Sequence, residues 1–222
     1  MSLIIAIDGP SGSGKSTLGR MISRALNLLY IDTGSMYRAV ALATLEAHID
    51  PNDKDDVIKL AEALDINLEG DPESLRTFIG TRDVSELIRT EAVTEMSSIV
   101  STIPGVRRAM VARQRELGRR GAVLNGRDIS TVVFPDADYK FFLTAEPNER
   151  AQRRFLEERA NHRQTTLAET LADMTERDER DITRADSPLK IADDAIVIDS
   201  TGKSIQKVFR EMMDKIEEEE RV

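Results

Sequence analysis

The chain has 222 residues, enough for one fair-sized core with a small insertion, and 40% of them are hydrophobic. Its 31 Lys plus Arg are outweighed by 40 Asp plus Glu; the net charge of −9 argues against a general basic surface for a nucleic-acid polymer. It has no Cys, which excludes disulfides and thiolate chemistry and fits a reducing cytoplasm, and its two histidines, His48 and His162, are too few for histidine zinc sites or Ser-His-Asp catalysis and read as surface residues.

Leu3 to Ile7 is apolar throughout, as in a strand covered on both faces of a parallel sheet. It lacks a basic flank, so it reads as a strand and not a signal peptide, and no apolar run approaches the ~20 residues of a membrane span. Gly9 to Gly14 interrupts the pattern, and Leu18, Met21, Ile22, Ala25 and Leu26 then mark an amphipathic helix. Leu28 to Ile31 is a second strand, followed by helices over Tyr37 to Glu46 and Lys54 to Leu64. Alternation at Ile66 and Leu68, with strand-like content through Glu86, predicts a small antiparallel insertion. Helices return at Arg89 to Ser101 and Val106 to Leu117, separated by Pro104-Gly105. Ala122 to Asn125 and Lys140 to Leu143 are further strands. The next helix starts near Pro147, and Thr166 with Glu169 forms a capping box for another. Ala195 to Ile198 is a fifth buried strand. The last helix carries Ile205, Val208, Phe209, Met212, Met213 and Ile216 on one face and ends in a solvated acidic tail, Glu217 to Glu220.

Alternating strands and helices imply a parallel sheet with helices on both faces, and ligands in such sheets bind beyond the carboxyl ends of the strands. Gly9-Pro10-Ser11-Gly12-Ser13-Gly14-Lys15-Ser16 matches G-x-x-x-x-G-K-[ST] in full, with a buried strand entering and a helix leaving. Glycines let the backbone turn its N–H groups toward phosphate oxygens; Lys15 reaches the β- and γ-phosphates, and the Ser16 hydroxyl ligates Mg²⁺. The loop names a nucleotide binder, not a reaction. No N-K-x-D guanine motif occurs and no apolar strand ends in the Asp-Glu pair of a motor ATPase, which leaves a kinase for a small acceptor.

Three further segments stand out: Asp32-Thr33-Gly34-Ser35-Met36-Tyr37-Arg38, Asn125-Gly126-Arg127-Asp128, and the run holding Arg177, Arg180, Asp181 and Arg184. With the loop, and in this order, they resemble the bacterial cytidylate kinases over nearly the whole chain. The resemblance implies a P-loop NTPase fold of class α/β: a five-stranded parallel sheet flanked by helices, a small β-containing monophosphate-binding insertion and a mobile lid. It divides the chain into core with the phosphate loop (1–37), monophosphate-binding region (38–105, with the β insertion at about 65–88), core (106–149), lid and flanking helices (150–184), and core with the C-terminal helix (185–222). It implies transfer of the γ-phosphoryl of ATP, with Mg²⁺, to CMP or dCMP, in a cytoplasmic monomer with no membrane or nucleic-acid partner.

The resemblance also assigns roles. Gly9 to Ser16 and Thr17 bind ATP, with Arg150, Arg153 and Arg154 on the lid supplying cations to the donor phosphates. Arg38, Arg127 and Arg184 grip the acceptor phosphate; Ser98, Arg107 and Asp128 read cytosine; Thr33, Arg177 and Asp181 lie near the sugar hydroxyls. Lys15, Arg127, Arg180 and Arg184 form the catalytic set. Thr33 and Asn125 depart from the family's usual serine and acidic residue, which puts a metal-linked role for Asn125 in question. Asp32 reads equally as a helix cap or as a partner of the metal's ligands.

The chemistry agrees with these assignments. Cytosine presents an amino donor at C4 and an acceptor at N3, which Asp128 or Ser98 and Arg107 complement; uracil reverses both polarities and leaves buried groups mispaired. Transfer to a phosphate oxygen needs no protein base, only in-line positioning and cations on the moving phosphoryl group. The 23 Arg against 8 Lys fit that demand, and eight of those arginines fall in 150–184 among eight acidic residues, local placement and no general basic patch. Arg108, Arg119 and Arg120 read as solvated surface residues, and one of the neighbours Arg153 and Arg154 is expected to face away. A UMP or small-metabolite kinase and a non-catalytic nucleotide sensor are the alternatives.

Overall fold

The computed structural model describes residues 2–160 and 163–219, so His162 and Glu220 lie outside the described residues. Five strands, β1 (Ile4–Asp8), β2 (Leu29–Asp32), β6 (Ala122–Asn125), β7 (Tyr139–Thr144) and β8 (Ile196–Asp199), form one parallel sheet in the order β2-β6-β1-β7-β8. In the register, Ile7 lies opposite Asn125 and Phe141, and Asn125 opposite Asp32, so the carboxyl ends reach a common edge.

Both faces of the sheet are covered. Ile5 and Ile7 join Val123, Phe141 and Leu143 under α1 (Lys15–Leu26) and the C-terminal helix, whose Val208, Met212 and Ile216 are buried there. Ile4, Ala6, Ile31 and Leu124 point the other way, onto α2 (Thr33–Glu46) and α5 (Pro104–Gly118), with α3 (Lys54–Ala63) and α4 (Glu91–Val100) packed outside. This is why the strands read as continuous apolar runs. The antiparallel unit β3 (Ile66–Glu69), β4 (Arg76–Ile79) and β5 (Arg82–Asp83) follows α3. Between β7 and β8 stand two long helices, α6 (Pro147–Ala160) and α7 (Leu167–Thr183), the latter opened by the expected Thr166–Glu169 capping box; α8 (Ile205–Glu219) closes the chain. No helix among the described residues is long and apolar enough to cross a membrane.

Several boundaries differ from expectation, each for a physical reason. α2 begins at Thr33, not Tyr37: the Asp32 side chain accepts from the Gly34 N–H at 3.2 Å and caps it. Pro104 is the first residue of α5, not a separator, since its fixed φ and missing N–H suit that position. β8 is an edge strand with Val197 half exposed, not a fully buried one. The last helix continues through Glu217 and Glu218, exposed residues. After β6 the chain makes one π turn, Ile129–Val133, which periodicity did not announce. It is held by the buried Asp8 carboxylate, which accepts from the N–H groups of Ile129 (2.9 Å) and Ser130 (2.8 Å) and from the Ser130 hydroxyl (2.5 Å).

Candidate active site

The phosphate loop leaves the end of β1, and its glycines are steric requirements. Gly9 has φ +144°, and a Cβ there would lie 2.0 Å from the Leu143 carbonyl oxygen. Lys15, the first residue of α1, is buried; its Nζ donates to the Pro10 carbonyl at 2.6 Å and lies 3.4 Å from Ser13 Oγ. Burial, reinforced by the Arg127 guanidinium, pushes its pKa well below that of an ordinary lysine. The next residue, Ser16, receives a hydrogen bond on Oγ from Asn125 Nδ2 at 3.1 Å, while Asn125 Oδ1 is buried without a partner.

Facing this loop across one cavity of about 670 Å³ is a group of arginines. Arg127 Nε donates to Asp181 Oδ2 at 2.7 Å and Arg184 Nη1 to Asp181 Oδ1 at 3.1 Å, so one carboxylate orients two guanidinium groups, one from the turn after β6 and one from the end of α7. For Asp181 burial works to raise the pKa, but Arg127 and Arg184 outweigh it and hold the carboxyl below its usual range. Arg177 is lowered to about 10, by burial first and then by Arg127, Arg38 and Arg154. Arg38 is lowered by burial and by Arg154, against the pull of Asp32. Four guanidinium groups thus stand close enough to repel one another, and neither Arg38 nor Arg177 has an ion pair with a carboxylate among the described residues. Such a cluster is relieved by an anion.

Deeper in, Arg107 Nη2 donates to Asp128 Oδ2 at 2.5 Å, and its Nη1 to the Ser101 carbonyl at 3.2 Å. The guanidinium lies 5.3 Å above the centre of the Tyr37 ring, and the Tyr37 hydroxyl, buried, is pushed up to about 12.

The cavity gathers Ser11 to Thr17, Thr33, Arg38, Arg107, Arg127, Asp128, Arg154, Arg177, Asp181 and Arg184 from segments far apart in sequence. Gly9 and Pro10 lie at the loop's entry. Other expected residues are placed differently. Arg150 does not line the cavity; its donors go to Asp178, the Ser11 carbonyl and the Ala145 carbonyl. Arg153 and Arg154 both line it, because it curves around α6: Arg153 bonds Ser200, and Arg154 faces Arg38 and Arg177. Arg180 stays outside, half exposed, 3.4 Å from Glu176. Ser98 opens into a neighbouring pocket of about 50 Å³ with Arg177, Arg180 and Asp181, while Ser97 and Ser101 line both spaces. The Thr33 hydroxyl donates to the Asn125 carbonyl at 2.8 Å. Ser101, Tyr37, Lys203 and Asp178 received no role from the sequence. Tyr37 and Asp178 each had a signal, their places inside the Asp32–Arg38 and Arg177–Arg184 runs.

A phosphate loop on a five-stranded parallel sheet, facing a second cluster of cations in the same cavity, defines a kinase whose acceptor is itself anionic. The family model for cytidylate kinase matches residues 5–218, and the chain belongs to that family, the nucleoside monophosphate kinases that use ATP to phosphorylate CMP and dCMP. It is 46% identical to the cytidylate kinase of Geobacter sp. (strain M21), over 96% of this chain and 91% of that protein. It is 45% identical to the cytidylate kinase of Clostridioides difficile (strain 630), over 97% and 98%. Among solved structures, an uncharacterized protein from Eubacterium ventriosum is similar in fold, with a TM-score of 0.56 at 11% identity over 98% of this chain and 99% of that one.

Proposed function

We propose that residues 9–17 hold the phosphates of ATP, that Arg38, Arg127, Arg177 and Arg184 hold the phosphate of CMP or dCMP opposite them, and that the γ-phosphoryl group passes between the two inside one cavity. The single observation that carries this reading is that cavity: the phosphate loop and the arginine cluster share it. With donor and acceptor in line, Lys15, Arg127 and Arg154 spread cationic charge around the moving phosphoryl group. The attacking atom is already an anionic phosphate oxygen, so no side chain has to remove a proton.

Residues 38–105 act as the acceptor region and residues 150–184 as the lid whose closure excludes water. The Arg107–Asp128 pair supports base reading, since a charged donor and acceptor fixed to each other offer cytosine one polarity only. Ser97 and Ser101 line the cavity that holds that pair and Ser98 lines the small pocket next to it, so these three are the candidates for the hydroxyl that reads the base, and Asp181 is assigned to the sugar.

Mg²⁺ fits the residues at the loop. The Ser16 hydroxyl and the buried, unpartnered Asn125 Oδ1 lie together, one suited to the ion and the other to a water on it. Two neutral oxygens are too few for a resident metal, so the ion comes with the nucleotide, where it neutralises phosphate charge. We infer a cytoplasmic monomer, since one chain supplies both nucleotide sites and no cysteine calls for an oxidising compartment.

The test is to supply ATP, Mg²⁺ and each nucleoside monophosphate in turn and to measure ADP. CMP and dCMP are expected to give the fastest turnover; absence of any monophosphate-dependent ADP defeats the reading.

A further inference from the structure

Asp178 belongs to none of the roles above, yet it touches the phosphate loop directly. It is buried on α7; its Oδ1 accepts from the Ser11 N–H at 2.9 Å, and its Oδ2 accepts from Arg150 Nη1 at 2.5 Å. Arg150 Nη1 also donates to the Ser11 carbonyl at 2.8 Å. Both backbone polar groups of Ser11 are therefore held by an ion pair drawn from the two helices between β7 and β8. The contact extends to Gly12, where φ is +71° and a Cβ would lie 2.7 Å from the Arg150 carbonyl oxygen and 2.9 Å from Met174 Cε.

We propose that Asp178 is a positioning residue for the donor side: by binding Ser11 and Arg150 together it fixes the shape of the phosphate loop to the placement of α6 and α7. This rests on the reading that residues 9–17 take the phosphates of ATP. A loop that must offer successive N–H groups to phosphate loses less on binding when one of them is already committed to a rigid partner. The partner is a carboxylate, however, and a carboxylate next to a triphosphate repels it. Arg150 cancels that charge, so it acts on Asp178 and not on the nucleotide. The lid cations Arg153 and Arg154 stand on the same helix as Arg150, and Arg177 and Asp181 on the same helix as Asp178, so one contact ties all of them to the loop.

The assignment fixes a sign that a phosphate-binding Arg150 does not. Direct calorimetric titration of ATP is expected to show Arg150→Ala weakest, by ~30-fold, because it leaves the Asp178 charge uncompensated beside the phosphates. Asp178→Ala is expected to lose ~10-fold, and the double variant to bind ATP better than Arg150→Ala alone, a non-additivity read from the cycle. CMP affinity stays within ~2-fold throughout, a split that general loosening of the fold does not give. Asp178→Asn, which keeps the shape and one acceptor for Ser11, recovers most of the affinity, and it decides the question if Asp178→Ala does not fold. A double variant as weak as or weaker than Arg150→Ala, an unchanged ATP affinity in Asp178→Ala, or equal losses for ATP and CMP overturns the proposal. Failure of the unmodified protein to bind ATP overturns the underlying reading instead.

Discussion

Arg107 and Asp128 form an ion pair at 2.5 Å in which the two side chains keep only 2% and 7% of their exposure. Arg107 comes from α5 and Asp128 from the turn after β6, so the pair joins two elements at the floor of the cavity. Breaking such a pair on one side leaves an uncompensated buried charge. Asp128→Ala is therefore expected to lose about 3–5 kcal/mol of stability and ~100-fold or more in kcat/KM for CMP, with little change in ATP affinity. Thermal unfolding and CMP and UMP kinetics check this. An unchanged CMP-to-UMP preference would sink the base-reading role. Ser98→Ala, compared with Ser97→Ala and Ser101→Ala, identifies the hydroxyl that serves it.

Lys15 is buried against its own loop with its ammonium destabilised by burial. Lys15→Met removes a desolvated charge and a cation for the moving phosphoryl group together. The expected result is a variant at least as heat-stable as the unmodified protein, with kcat lowered by ~100–1000-fold. A clear fall in melting temperature would show that the Lys15–Pro10 bond outweighs the cost of burying the charge.

Arg177 makes the same trade on the acceptor side. Its folded pKa of about 10 lies below the ordinary value of 12.5, so its charge costs stability at every pH below about 10, and the cost fades as pH rises from there toward 12.5. Arg177→Gln is expected to raise the melting temperature at pH 7 by about 2–4 °C per kcal/mol relieved and to raise KM for CMP at least ~10-fold. Calorimetry and CMP kinetics test both halves.

Asp181 has the opposite sign. Its folded pKa is held below 3.8, so its bonds to Arg127 and Arg184 contribute fully above pH 3.8, and that contribution is lost as pH falls through the lower folded value. Asp181→Asn is expected to cost about 2 kcal/mol at pH 7, with the difference from the unmodified protein closing in that acid window. A difference that stays constant down to pH 2.5 would contradict the assignment.

Much of this site was legible because its chemistry is local. Gly9 to Ser16 carries its own conformational demands, and the runs around Arg38, Arg127 and Arg184 declare their charges. The placement of Arg150 was not legible, because the helix that starts near Pro147 is dense in arginine and nothing in its spacing says that Arg150 turns inward to Asp178 while Arg153 and Arg154 both reach the cavity. Ser97, Ser98 and Ser101 illustrate the same limit: three hydroxyls on neighbouring turns differ only in which space each faces, and that depends on how α4 packs against α2 and lines the small pocket beside α7.

The sequence by itself determined the alternation of strands and helices, the phosphate loop and the inventory of cations, because hydrophobic period and glycine geometry act over a few residues. Strand order, the capping role of Asp32, the π turn held by Asp8 and the pairing of Asp178 with Arg150 were decided only in three dimensions. Apart from the local Asp32 cap, each joins residues tens to more than a hundred positions apart, and burial sets which charged group pairs with which.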